Sequence, residues 1–447
     1  DNILGLMAEV VLQPSFPENE VELAKQNTKE SLRQQRAQPS FLATEMVSRI
    51  MFGDHPYSVI APTPESIDLS KRNDFVTFHR ANIVPNNAVL VVVGDVSLDA
   101  ELKRCEALFS SWQRGADLAG NFPAPPIRSK RSVYLIDRHG SAQSNIVIAN
   151  RGITRTSPDY FAMLLMHTVL GATASSRLFM NLREEKGYTY GAYSNLDARR
   201  TAGTFRATAE VRTPVTGDSL KEFFYELKRI GNESVSQKEI ADAKSYLTGV
   251  FPIRLETQEG LIDQLVQIKM LGLPDNYLQT YRDQIQAVTI ADIQRVAQKY
   301  VRPDEAAMIV VGDGVAVLEQ IKPYCEDIEI YSTTGKRKSA VGGNGQVVDV
   351  VGSWELHIET PLGQSIPATL LIAKEAAGLS AKISSEMGDA DLGTIELRDN
   401  SFQTATAIEM DGHSVEVEIS ARFEGDHTEG SLTLPHSPPL PFGGNKI

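Results

Sequence analysis

A repeat with a spacing of about 218 residues constrains the fold of this chain more than any other feature of its sequence. Residues 74–95 and 292–313 each run from a helical pattern through a proline turn into an apolar run that ends in Val-Val-Gly-Asp. Pro85 and Pro303 hold the same place in the two copies. An apolar run of this length between turn signals predicts a buried strand. The chain is therefore predicted to contain two similar α+β units.

A second pair of similar segments, 15–25 and 234–244, lies upstream in the two copies at nearly the same spacing. Each contains the pattern Ser-x-x-Glu, which starts at Ser15 in the first copy and at Ser236 in the second. This pattern predicts the beginning of a helix. Two matches at nearly one spacing favour duplication over chance.

The second copy has a visible start after the proline-rich stretch 122–128. Its periodicity predicts strands at 132–137 and 144–149, helices at about 158–171 and 174–185, strands near 188–195 and 203–211, and helices through most of 216–301. A first copy of equal length would begin about 85 residues before Asp1. We therefore expect the front of the first copy to be absent from this sequence.

The pattern changes from helical to alternating after a small, polar stretch at 339–346. Residues 347–447 carry 16 acidic and 5 basic side chains, whereas the whole chain has a net charge of -13, so most of the negative charge lies here. Such asymmetry favours a separate module. Seven short strands are predicted in it: 353–360, 368–374, 380–385, 393–398, 403–410, 414–421 and 431–434. Hairpin signals at Asp399-Asn400 and Asp411-Gly412 favour an antiparallel sandwich or small barrel.

These patterns predict an α+β fold with two homologous α/β-sandwich units, the first truncated at its N-terminus, and a C-terminal all-β module. The expected boundaries are 1–121 for the first unit, 122–131 for a linker, 132–334 for the second unit, 335–346 for a second linker, 347–434 for the β module and 435–447 for an extended tail.

Composition excludes several classes of function. The negative charge argues against nucleic acid, because nucleic-acid-binding proteins need a basic face. No apolar run reaches eighteen residues, so no membrane span is expected. Two cysteines, Cys105 and Cys325, provide neither a disulfide framework nor a cysteine-rich zinc site.

The segment from Ser175 to Tyr190 reads SSRLFMNLREEKGYTY, and it is similar to the hallmark of the second domain in pitrilysin/insulinase zinc metallopeptidases. Gly53-Asp54-His55-Pro56-Tyr57, Pro64-Glu65-Ser66 and the two Val-Val-Gly-Asp segments are similar to other landmarks of that family. The resemblance covers about residues 1–330. It implies a chamber formed by two α+β units, and hydrolysis of peptides or unfolded segments.

The family binds zinc through His-x-x-Glu-His and a later glutamate, but none of the eight histidines here begins that motif. The resemblance places the motif about 50 residues before Asp1, and it places the later ligand near Glu30. The carboxylate position of the family also aligns near Ser31, and the alternative, which the sequence favours, is that Glu30 is a solvated helix residue in a highly charged stretch. Zinc is thus expected in the complete enzyme or on a partner subunit, with none bound tightly by this chain alone.

Arg183 and Tyr190 match the arginine and tyrosine that, in the family, bind the substrate carbonyl and its oxyanion. A guanidinium and a phenol are donors suited to developing negative charge. The alternative is a surface ion pair for Arg183 and a core position for Tyr190. The neighbouring Arg177, Glu184, Glu185 and Lys186 are predicted to form a solvated helix end.

Two functions remain open from the sequence. In the first, the chain is the substrate-binding part of a metalloendopeptidase and is paired with a zinc-bearing homologous subunit. In the second, it is a non-catalytic scaffold or assembly subunit. The resemblance alone suggests a bacterial periplasm or cell envelope.

Overall fold

The computed structural model describes the chain except for residues 1, 118–119, 326, 342–348, 361–364, 376–377, 387, 398–399, 411–412, 425–426 and 435–438. Residues Asp1–Lys336 form one compact unit, and Arg337–Ile447 form another. The first of these compact units combines helices with a β-sheet, and the second consists of an antiparallel β-sheet. The predicted fold class is therefore confirmed. Among the described residues, no helix is both long and apolar enough to cross a membrane.

The chain ahead of the first linker is helical. Its helices are α1 (Asn2–Leu12), α2 (Glu18–Arg36), α3 (Pro39–Phe52), α4 (Pro64–Leu69), α5 (Arg72–Asn82) and α6 (Leu98–Phe109). α2 begins at Glu18 with Pro17 as its N-cap, and no side chain caps it. The capping role predicted for Ser15 is therefore wrong, although the predicted helix is present.

The apolar run 88–93 does not form the strand that the repeat predicts. Its backbone is irregular, and Val89, Leu90 and Val92 are 52%, 44% and 42% exposed. Its counterpart, Ala307–Gly312, is a fully buried strand. A strand obtains its hydrogen bonds and its packing from neighbouring strands. Within the described ranges no strand pairs with 88–93, so this run stays irregular although it is as apolar as its counterpart.

The second copy alternates strands and helices as predicted. Its elements are β1 (Ser132–Asp137), β2 (Gln143–Arg151), α7 (Tyr160–His167), α8 (Arg177–Phe179), β3 (Thr189–Ala198), β4 (Gly203–Arg212), α9 (Thr216–Asn232), α10 (Gln237–Leu255), α11 (Gln258–Leu271), α12 (Tyr277–Ala287), α13 (Ile290–Tyr300), β5 (Ala307–Gly312), α14 (Gly314–Ile321) and β6 (Ile328–Tyr331). The strands lie in the order β3-β4-β2-β5-β1-β6. β5 is parallel to β1 and antiparallel to β2.

The predicted helix start at Ser236 is confirmed. Its hydroxyl accepts a hydrogen bond from the Glu239 amide at 3.2 Å, and the Glu239 carboxylate accepts one from the Ser236 amide at 2.7 Å. This reciprocal pair satisfies two amide groups that the first turn of α10 would otherwise leave without partners.

Helix α3 covers one face of the second copy's sheet, although it precedes the linker. Its buried side chains pack on β1, β2 and β5; they are Leu42, Ala43, Met46, Val47 and Met51. Each larger side chain among them contributes about 1.5–3 kcal/mol by leaving water. The predicted boundary at residue 121 therefore does not separate two independent cores.

The second compact unit is a meander of antiparallel strands. After the two-residue strand β7 (Arg337–Lys338), its strands are β8 (Gly352–Glu359), β9 (Ser365–Glu375), β10 (Gly378–Ser385), β11 (Gly388–Ile395), β12 (Ser401–Met410), β13 (His413–Glu424), β14 (His427–Thr433) and β15 (Leu440–Lys446). They lie in the order β11-β10-β9-β8-β15-β14-β13-β12. The two end strands approach each other, and the Thr406 hydroxyl donates a hydrogen bond to the Asp391 carbonyl at 2.8 Å. The sheet is thus a nearly closed barrel.

The barrel interior is filled by alternate side chains of its strands. In β8, Trp354, Leu356 and Ile358 point inward and are fully buried, whereas the residues between them are exposed. This period of two is the pattern from which the strands were predicted. The hairpin signal at Asp411-Gly412 lies outside the described residues, as does Asp399 of the other one.

The prediction of an extended tail over 435–447 is wrong for its last part. Residues 440–446 form β15, which pairs with β14 on one side and β8 on the other. Leu440 and Phe442 are buried in the barrel. Prolines favoured a tail because they cannot donate to a ladder, but Pro441 sits between two inward-facing apolar residues, and burial of those residues stabilises the strand.

Candidate substrate-binding site

The segment that carries Arg183 departs from a regular α-helix. After the single turn of α8, the chain continues as a π-helical turn over Met180–Glu185. The Tyr188 amide then donates a hydrogen bond to the Leu182 carbonyl at 2.9 Å. Gly187 ends the turn with a φ of 62°, a conformation that glycine adopts at little cost. Isolated π turns are rare and occur frequently at functional sites.

The Arg183 side chain lies on the outer side of this turn. It is 46% exposed, and its Nε is 3.5 Å from a Glu184 carboxylate oxygen. Its guanidinium carbon is 4.8 Å from the centre of the buried Phe179 ring. An exposed ion pair contributes little, and an exposed cation–π contact contributes about 0.5–1 kcal/mol. The backbone of the turn therefore decides where the guanidinium points.

Tyr190 is exposed by an irregularity at the start of β3. The pairing of β3 with β4 shifts between Thr189 and Ala192, which places Tyr190 and Gly191 in a bulge. The Thr189 hydroxyl accepts a hydrogen bond from the Gly191 amide at 3.1 Å and so supports the bulge. The Tyr190 side chain is 86% exposed. Bulges often redirect a side chain beside a functional site.

Arg183 and Tyr190 are therefore exposed hydrogen-bond donors that precede and follow Gly187 in the chain. No hydrogen bond joins the two side chains to each other among those that the structure shows for the described residues. A guanidinium offers several N–H groups in one plane, and a phenol offers one O–H. Both can donate to a carbonyl oxygen or to an oxyanion.

The inner side of the same segment is held by Arg177. Its Nε and one terminal nitrogen donate to the two Glu239 carboxylate oxygens at 2.6 and 3.2 Å. Burial raises the pKa of Glu239, but hydrogen bonds from Arg177 and the Ser236 amide and the Arg177 charge outweigh it and lower the pKa to about 2. Arg177 is buried, so its predicted place in a solvated helix end is wrong.

Asn181 provides a second inner contact. Its side-chain amide donates to carboxylate oxygens of Glu222 at 3.1 Å and Glu226 at 3.0 Å, both on α9. Glu226 is almost completely buried, and this burial raises its pKa. The Arg229 guanidinium lies 3.4 Å from the same carboxylate. Thus one face of the segment is fixed to α9 and α10, while the other presents Arg183.

Comparison with known proteins shows which family this part of the chain resembles. Residues 71–247, which include the whole segment from Arg177 to Tyr190, match the sequence profile described as the peptidase M16 inactive domain. This match confirms the resemblance to the pitrilysin-like peptidase M16 family that the sequence motifs indicate.

Its relatives in the M16 family carry contrasting names. A protein of Mycobacterium leprae named as an uncharacterized zinc protease is 24% identical over 302 residues, which cover 66% of this chain and 67% of that protein. A protein of Helicobacter pylori named as a non-peptidase homolog is 24% identical over 314 residues, which cover 70% and 72% of the two chains.

Solved structures of the M16 fold resemble this one. A peptidase M16 inactive domain from Pseudomonas fluorescens gives a TM-score of 0.64 at 27% identity, and the match covers 69% of this chain and 74% of that chain. A protease from Helicobacter pylori gives a TM-score of 0.64 at 20% identity and covers 69% and 76%. The latter similarity shows the fold alone.

The described residues do not fit the zinc site of the M16 family. Glu30 is 61% exposed on α2, and its carboxylate lies 3.4 Å from the Arg33 guanidinium. A protein zinc site needs three or four ligands. In the part of the chain that the structure describes, no three His, Cys, Asp or Glu side chains converge to hold a metal ion. No step through zinc is therefore assigned to these residues.

Three histidines, which belong to no metal-binding motif, have structural hydrogen-bond partners. His167 is hydrogen-bonded through Nδ1 to the Ser194 hydroxyl at 2.7 Å, and burial lowers its pKa to about 4. The buried His55 ring accepts a hydrogen bond from the Tyr57 amide at 3.1 Å. His79 is 2.8 Å from the Val11 carbonyl. Each is satisfied as a structural residue.

The sequence pattern did not reveal the inner contacts of the site. Helical periodicity predicts polar helix positions for Arg177, Asn181 and Glu226, but it does not predict which residues they contact. One signal was available: Ser236-x-x-Glu239 predicted a fixed carboxylate at the start of α10, which is the group that receives Arg177.

Proposed function

We propose that this chain supplies the substrate-binding half of a metalloendopeptidase reaction, with Arg183 and Tyr190 as donors to the peptide carbonyl. The observation that carries the proposal is the Arg183–Tyr190 pair, in which a π turn and a β-bulge expose two donors on either side of one glycine turn. The resemblance to the M16 family supports a peptide or an unfolded segment as the substrate.

The proposed chemistry uses only what these side chains can do. When a water attacks the carbonyl carbon, negative charge grows on the carbonyl oxygen. Arg183 and Tyr190 donate hydrogen bonds that strengthen as this charge develops, which lowers the barrier more than it strengthens ground-state binding. The group that activates the water must come from outside the described residues. We propose a zinc-bearing homologous subunit as its source.

The test is cleavage by an assembled pair. The chain is co-expressed with a zinc-bearing homologue, and hydrolysis of an internally quenched fluorescent peptide is followed. Arg183→Ala and Tyr190→Phe should each lower kcat about 10²–10³-fold, as the loss of one oxyanion donor does elsewhere, with little change in KM. Arg33→Ala and Tyr225→Phe alter exposed residues of the same types and serve as matched controls.

The second candidate function is a non-catalytic assembly subunit. The relative of Helicobacter pylori that is named a non-peptidase homolog favours it. On this reading, the zinc-bearing homologue would cleave the peptide equally well with the wild-type chain, Arg183→Ala or Tyr190→Phe. That result would refute the substrate-binding role and leave the scaffold.

A further inference from the structure

The segment 177–187 holds Arg183 in a conformation that its own backbone supports weakly. It consists of a single helical turn, a π turn and a left-handed glycine. Such irregular turns persist only where surrounding contacts determine them. The contacts that could do this lie on the inner side, because the Arg183 side chain itself is half exposed and has only weak partners.

Two buried polar side chains provide hydrogen-bonded contacts there, beside the buried apolar side chains of Leu178, Phe179 and Leu182. Arg177 anchors the start of the segment to Glu239 of α10 by two hydrogen bonds. Asn181 anchors its middle, because one amide group bridges Glu222 and Glu226 of α9. Asn181 and Glu226 are both buried, so neither can exchange its partner for water without cost.

The arrangement of charge makes Asn181 specific. Two carboxylates converge on one position of the turn, and the group between them must donate to both. An asparagine does so without carrying a charge, whereas an aspartate would place a third carboxylate against them.

We propose that Asn181, assisted by Arg177, is a positioning residue that sets the direction of Arg183 by bridging the turn to Glu222 and Glu226. The inference rests on the proposed function only for its catalytic consequence. The structural part concerns the turn itself and holds for the chain alone.

The first measurement is hydrogen exchange of the full chain, read on the peptide that includes the Gly187 and Tyr188 amides. Asn181→Asp should speed exchange there about tenfold, since roughly 1.4 kcal/mol of local opening energy corresponds to a factor of ten. Asn181→Asp with Glu226→Gln exchanges donor and acceptor and should restore slow exchange. Asn181→Ser removes the bridge without adding charge. It replaces Asn181→Asp in the exchange measurement if the aspartate variant does not fold. Unchanged exchange in the variants that fold would overturn the proposal.

The second measurement is a double-mutant cycle in the peptide-cleavage assay of the assembled pair. Asn181→Asp should lower kcat about tenfold at constant KM and should have no further effect in an Arg183→Ala background, because it acts through Arg183. An equal further loss in that background would overturn the positioning role. If Arg183→Ala leaves cleavage unchanged, the proposed function fails, and the exchange result alone decides whether Asn181 sets the turn.

Discussion

Arg177 and Glu239 meet through two hydrogen bonds of 2.6 and 3.2 Å, although they lie on a short helical turn and on the first turn of α10. The same carboxylate accepts the Ser236 amide at 2.7 Å. One glutamate thus caps a helix and holds the segment that presents Arg183.

We expect Glu239→Gln to lower the free energy of unfolding by about 1–3 kcal/mol at pH 6, because it leaves the buried Arg177 charge without its counter-charge. The folded-state pKa of Glu239 is about 2, below its usual 4.5, so its contribution is present above pH 4.5 and is lost as pH falls toward 2. Urea unfolding at pH 6 and pH 3.5 measures this.

In the Glu239→Gln variant, the decrease in the free energy of unfolding between pH 6 and pH 3.5 that is due to Glu239 should disappear. Asp242→Asn, on the same helix and paired with the exposed Lys238, is the matched control and should change stability by less than about 0.5 kcal/mol. Equal effects of the two substitutions would show that the Arg177 contact contributes nothing specific.

His167 should make stability depend on pH between about 6.5 and 4. In this range the unfolded state takes up a proton that the buried ring, with a pKa of about 4, does not, so the free energy of unfolding decreases as pH falls. The loss should reach up to about 3 kcal/mol relative to His167→Gln, whose amide can still bond to Ser194. Denaturant melts of both proteins at pH 7.5, 6 and 4.5 test this. A difference that stays constant with pH would contradict it.

Met46 tests whether α3 belongs to the sheet of the second copy. It is buried among residues of β1, β2 and β5, so Met46→Ala should cost about 2–5 kcal/mol. Ser40→Ala, at an exposed position of the same helix, should be close to neutral. A fragment of residues 122–336 lacks α3 and should consequently unfold at a lower temperature than the compact unit of residues 1–336. Equal melting temperatures would refute the shared core.

Phe442 tests whether β15 is part of the barrel. In residues 337–447 the only tryptophan is Trp354, which is buried, so its fluorescence reports on this unit. Phe442→Ala should cost about 3–5 kcal/mol, and a chain that ends at residue 439 should not give the emission of a buried tryptophan. Pro441→Ala is the control and should retain that emission. A native spectrum without residues 440–447 would restore the tail interpretation.

The sequence predicted most of the fold because local patterns follow local physics. Alternation in β8 and the apolar run of β5 marked strands, since side-chain direction has a period of two and a central strand is apolar throughout. The run 88–93 is as apolar as β5 and is not a strand. Strand formation there depends on neighbours, and composition does not encode whether neighbours are present.

The outer face of the site could also be predicted. The family resemblance indicated Arg183 and Tyr190, and the sequence predicted a strand that begins near Tyr190, just after Gly187. Their exposure could not be predicted, because it results from a shift of register against β4 and from a π turn. Both are small departures from regular geometry that leave no periodic trace.

By itself, the sequence determined the alternation of helices and strands in the second copy and the alternating strands of the β module, and it indicated the duplication and, through the family resemblance, the Arg183–Tyr190 pair. The tertiary structure alone decided that α3 packs on the second copy's sheet, that β15 closes the barrel and that Arg177 and Asn181 are buried against α9 and α10. The physical reason is the separation along the chain of the residues that decide each property. Periodicity reflects the geometry of one element, whereas burial and ion pairing depend on residues that meet only after the chain has folded.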